Sequence, residues 1–154
     1  MAAIITKSLP PAYYDKIRIH VDGDYYSMDY MLAWIETANR NPGRIFYGYT
    51  KSLPFWVKLR GLMPSNLVLN ASWDGKYDHM IESEGLPNAK VYFHPDEAAD
   101  DGVEIDHDDS LAINPTVTRF GLLIHGPQKA GSEAAAALKR LRHEKIKYSY
   151  SKSH

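Results

Sequence analysis

The sequence predicts an α/β domain whose core is a mainly parallel five-stranded sheet with βα alternation. Two observations lead there. Five short runs rich in β-branched and aromatic residues alternate with stretches of helical periodicity, joined for the most part by short connections. Each run also ends in polar residues just before a helix signal, as strands do where they hand over to a crossover helix. Five strands are too few to close an eight-stranded barrel, which leaves an open sheet, a partial barrel with a covered edge, or association of chains.

The first run, Ile17-Arg18-Ile19-His20-Val21, reads as a strand, and residues 2–5 before it read as a short edge strand or a frayed end. Asp22-Gly23-Asp24 turns the chain. From Ser27, a natural helix cap, Met28, Met31, Trp34, Ile35 and Ala38 recur on one helical face until Asn41-Pro42-Gly43 stops them. Residues 44–50 form the second strand, and Pro54 opens a helix carrying Phe55, Trp56, Leu59 and Leu62. Residues 67–73 form the third strand, followed by Asp74-Gly75 and a short helix around residues 78–84. The fourth strand is expected at residues 90–94, with Pro95, Asp96 and Glu97 well placed to begin a helix. Residues 100–118 show no sustained period and read as a long loop, its acidic run 104–110 solvated. Residues 119–125 are apolar enough for a strand buried on both faces, and Ser132 is positioned to cap a final helix running to about His143. The organisation is a lead-in over residues 1–16, one α/β domain over 17–144 and a basic, flexible tail over 145–154.

Composition narrows the chemistry. The 154 residues are 44% hydrophobic and 24% charged with a formal charge of −1, ordinary for a globular domain. Zero cysteines exclude disulfides, thiolate zinc sites, cysteine nucleophiles and cysteine-held iron–sulfur clusters within this chain. No cofactor is expected. No apolar run has membrane-spanning length and no signal peptide is visible, so a cytoplasmic location without membrane contact is expected. The basic stretch from Lys139 to Lys147 reads as a charged solvent face, and nucleic-acid binding is not expected.

Candidate sites gather where the strands end. His20, Asp22, Asp24, Asp74 and His94 form a catalytic or metal-holding candidate set in which a histidine serves as acid or base and a carboxylate orients it. The same carboxylates can instead fix the turns they stand in. A second set, Lys51 and Ser52 with His125, Gln128, Lys129, Gly131 and Ser132, is an anion-binding candidate, because glycines, a lysine and a capping serine meet a helix start. Its alternative is a structural turn, and Gly126–Ser132 lacks the Walker ending. Eleven tyrosines and three tryptophans favour self-association or capture of a protein partner.

Four ordered blocks, His20-Val-Asp-Gly-Asp-Tyr-Tyr-Ser27, Tyr49-Thr-Lys-Ser-Leu-Pro-Phe-Trp56, Ala71-Ser-Trp-Asp-Gly75 and Leu122-Leu-Ile-His-Gly-Pro-Gln-Lys-Ala-Gly-Ser132, resemble the bacteriophage gene product eighty-eight family. That resemblance spans roughly residues 17 to 142 and implies a partial TIM-type barrel akin to a radical-SAM-like fragment, here without the upstream cysteine cluster of longer members. With that chemistry missing, the expectation is a non-catalytic binding or host-interaction protein of the infected cell, homo-oligomeric and partnered by a host protein. A metal- or phosphate-dependent enzyme at the strand ends, and a subunit of a split radical-SAM enzyme, are the alternatives.

Overall fold

Residues 1–147 are described by a computed structural model. Five strands, β1 Lys16–Arg18, β2 Ile45–Thr50, β3 Leu67–Ser72, β4 Asn88–Tyr92 and β5 Arg119–Leu123, lie side by side in sequence order. Every pairing is parallel, and the sheet curls into a half-barrel. Among the described residues the helices are α1 Ala2–Ser8, α2 Met28–Arg40, α3 Leu53–Leu59, α4 His79–Ser83, α5 Pro95–Asp100 and α6 Glu133–His143, with a 3₁₀ turn at Arg60–Leu62.

Alternation along the strands sorts side chains between two cores. Ile17 and Ile19, Phe46, and Leu67, Leu69 and Ala71 point to the face where Met31, Ile35 and Ala38 of α2 and Leu53, Trp56 and Leu59 of α3 cover them. Tyr47, Ala89, Phe120 and Leu122 belong to the other face. That face is packed by the long loop, which lays Leu111, Ala112, Ile113 and Val117 on it. β5 is therefore buried on both sides, from Phe120 to Leu123. A smaller cluster of Ile124, Leu138 and Leu141 seats α6, and half-buried Ile146 extends it.

Four local expectations need correction. Residues 2–8 form a helix that packs on α2 instead of an edge strand, with the Thr6 hydroxyl bonded back to Ala2 O. β1 ends at Arg18: the Ile19 amide still bonds Tyr47 O, but His20 turns left-handed with φ 59° and Val21 is 90% exposed. β4 begins two residues early, at Asn88, and stops at Tyr92, so Phe93 and His94 lie beyond it. The long loop is not wholly solvated. Ile105 bridges Gly121 in parallel, covering the outer edge of β5, and Asp106 is only 1% exposed. The distal part of the expected flexible tail, residues 148–154, lies outside the described residues.

Candidate functional site

The carboxyl ends of β1, β2 and β3 converge on Asp24. Its Oδ1 accepts from the Thr50 hydroxyl at 2.6 Å and from the Tyr25 amide at 2.7 Å, and its Oδ2 accepts from the Lys51 amide at 2.7 Å. Thr50 is 1% exposed, and its hydroxyl oxygen in turn accepts from the Ser52 amide at 3.0 Å. The Ser52 hydroxyl closes the ring by donating to Tyr25 O at 2.7 Å. Lys51 reaches the third loop by donating through Nζ to Trp73 O, and its stem lies where a Cβ on Gly75 would come within 3.2 Å. Gly75 thus lets two loops approach closely. One carboxylate therefore binds the turn after β1 to the turn after β2, and a lysine ties that pair to the turn after β3.

Two clefts flank this knot. One, of about 210 Å³, is lined by Asp24, Lys51, Ser52, Phe55, Lys76 and Tyr77. The other, of about 190 Å³, is lined by Gly23, Asp24, Tyr49, Thr50, Lys51 and Ser72. Asp22 stands outside both, exposed, with Oδ1 accepting from the Gly23 amide at 2.9 Å. Asp74 is left-handed at φ 68°, with its amide bonded to Asp78 Oδ2 at 3.0 Å, and it lines a separate cleft with Tyr92, Asp100 and Asp101.

His20 lines neither cleft beside Asp24. Its ring lies among Tyr25, Tyr30 and Trp34, with centroids 4.9, 5.5 and 6.4 Å away, and Nε2 bonds Tyr30 Oη at 3.0 Å. Burial lowers its pKa, partly offset by the negative charge of Asp24. Burial, reinforced by Asp24 and Tyr30, raises that of the Tyr25 hydroxyl. His94 is a clamp between helices. It caps α5 by accepting from the Asp96 amide through Nδ1 at 3.2 Å, which leaves Nε2–H to donate to Glu144 Oε2 at 2.8 Å, just past the end of α6.

The anion candidates fall into two groups that the fold does not join. Lys51 and Ser52 follow β2, whereas the others follow β5, three strand spacings or about 14 Å along the sheet. In the second group His125 Nδ1 donates to Leu123 O at 3.0 Å and Gln128 Nε2 donates to His125 O at 2.9 Å. Ser132 accepts from the Ala135 amide at 3.2 Å while its hydroxyl donates to Lys129 O, and left-handed Gly131 (φ 78°) precedes it. Lys129 itself is exposed. Among the described residues no three His, Cys, Asp or Glu side chains form a metal-holding group.

A second polar knot escaped the sequence reading. On the loop-covered face, Asp109 Oδ2 accepts from the Tyr47 hydroxyl at 2.7 Å and lies 3.7 Å from the Arg18 guanidinium, which itself lies over the Tyr49 ring at 5.2 Å. Asp106 accepts from the Ala112 amide at 2.9 Å and the Asp108 amide at 3.3 Å, and Asn70 Nδ2 donates to Ala112 O at 3.0 Å. The available signal was Leu111-Ala112-Ile113 directly after the acidic run, an apolar segment that a solvated loop does not need.

No curated protein and no solved structure matches the chain. A family model described as Gene product 88 matches residues 1–144, nearly the whole of it. The chain therefore belongs to the Gene product 88 family of phage gene products.

Proposed function

We propose that this chain is a phage-encoded binding protein that acts by engaging a host protein in the cytoplasm of the infected cell, without catalysis of its own. The observation that carries this reading is the use made of Asp24. Both of its oxygens are engaged by donors from its own and the neighbouring turn, so the carboxylate best placed to act on a substrate holds the architecture together instead. His94 supports the same reading, with one ring nitrogen given to a helix cap and the other to Glu144. Exposed Tyr13, Tyr14, Val21 and Tyr26 supply apolar surface for a partner or for self-association into a homo-oligomer.

The enzyme reading has its own support in the two clefts that share Asp24 and Lys51. Capture of tagged protein from infected-cell lysate separates the two. A host protein recovered at fixed stoichiometry, and lost when Tyr13, Tyr14 and Tyr26 are changed to serine, is expected. Recovery of a nucleotide or metal ion without a protein would overturn the proposal and turn attention to the clefts.

A further inference from the structure

Three Asp-Gly pairs stand in this chain: Asp22-Gly23, Asp74-Gly75 and Asp101-Gly102. Glycine, with no Cβ, leaves its own amide nitrogen unhindered, so such pairs are where a main-chain nitrogen most easily attacks the preceding side-chain carboxyl. The fold treats the three differently. The Gly75 amide donates to Asp78 Oδ1 at 2.9 Å, and the Asp74 amide is held by Oδ2 of the same side chain at 3.0 Å. The Gly102 amide donates to Ala99 O at 3.0 Å where α5 ends, while Asp101 Oδ2 accepts from the Tyr92 hydroxyl at 2.8 Å. The Gly23 amide instead faces its own aspartate, donating to Asp22 Oδ1 at 2.9 Å. Both residues are exposed, next to Val21 at 90% exposure, so water reaches the turn.

We propose that Asp22-Gly23 is a self-modification site, at which Asp22 isomerises to isoaspartate in the folded protein. The turn already holds nitrogen and carboxyl together, which removes most of the ordering the reaction otherwise needs. The Gly23 nitrogen bonds to the side-chain carboxyl carbon, its proton and the carboxyl hydroxyl depart as water, and a cyclic imide closes. Water then adds at the former main-chain carbonyl of Asp22 and reopens the ring, so that the chain continues through the side chain. The net change is an isomerisation that needs nothing but water. At the other two pairs the same attack must first break the glycine amide's bond to Asp78 or to the Ala99 carbonyl. The product lengthens the main chain by one carbon two residues before Asp24, whose carboxylate joins the turns after β1 and β2.

The test is ageing of the intact protein at neutral pH in water enriched in heavy oxygen, followed by digestion and electron-transfer fragmentation, which tells isoaspartate from aspartate. Isoaspartate carrying one heavy oxygen is expected to form at Asp22 at least about tenfold faster than at Asp74 or Asp101. In denaturant, where the protecting bonds are gone, the three are expected to react at similar rates. Asp78→Ala frees the Gly75 amide and is expected to raise the rate at Asp74 while leaving that at Asp22 unchanged. Absence of isoaspartate at Asp22, or equal rates at the three pairs in the folded chain, would overturn the proposal. So would a folded Asp78→Ala protein in which Asp74 reacts as slowly as before.

Discussion

Asp106 sits at 1% exposure with two backbone amides aimed at its carboxylate, and burial still raises its pKa against those hydrogen bonds. Its contribution to stability is therefore full below the unfolded carboxyl value and is lost as pH rises through the folded one. His20 runs the other way. Its folded pKa is lowered, so its contribution is full above the unfolded value of 6.5 and is lost as pH falls towards the folded value. Urea unfolding at pH 7.5 and at successive steps below pH 6.5 is expected to show a loss of stability that His20→Asn reduces, asparagine being tolerant of the left-handed backbone. Asp106→Asn replaces one acceptor oxygen by a donor facing a buried amide. It is expected to cost about 1–3 kcal/mol and to remove exchange protection at the Ala112 amide. These roles were only partly legible. The aspartate–glycine–aspartate spelling offered Asp24 both as a catalytic candidate and as a turn-fixing carboxylate, and Asp106 is marked only indirectly, by apolar residues five to seven positions later whose reach to a sheet formed elsewhere buries it.

Elements with a complete set of local signals came out where the sequence puts them. For α2, Ser27 caps Tyr30 at 3.2 Å and the Met31, Ile35 and Ala38 face is buried; α6 repeats the pattern with Ser132 and Ala135. Elements set by tertiary pairing did not. The Asn88 amide joins the ladder through Thr118 O, a partner thirty residues distant, so no local pattern marks the true start of β4. The N-terminal helix has Ala2 buried and packs on α2, a contact that outweighs the β-branched spelling of its middle. Two substitutions probe joints between elements. A Cβ on Gly48 would lie 2.9 Å from Ile19 O, so Gly48→Ala must push β1 from β2, at about 1–3 kcal/mol in unfolding experiments. His94→Ala removes both the α5 cap and the Glu144 contact. A loss of about 1 kcal/mol is expected, with faster hydrogen exchange in α5 and at the end of α6.

At the scale of the whole molecule, parallel order, strand number and βα alternation were all readable from spacing, because each βα unit carries its own punctuation. Which face the long loop covers was not, since a loop without periodicity does not announce its partner. The half-barrel thus has helices on one face, a self-supplied loop on the other, and the polar groups at the ends of β1, β2 and β3 tied into each other. Among the described residues no helix is long and apolar enough to cross a membrane. The central claim is that the knot at Asp24 is architectural, and equilibrium unfolding of Asp24→Asn tests it most directly. Asparagine retains one acceptor and turns an amide against either Thr50 or Lys51. A loss of about 1.5–3 kcal/mol is expected, or roughly 3–10 °C in Tm, with the far-UV spectrum unchanged. An Asp24→Asn protein as stable as the wild type would contradict the claim and return that carboxylate to the list of groups free to act on a ligand.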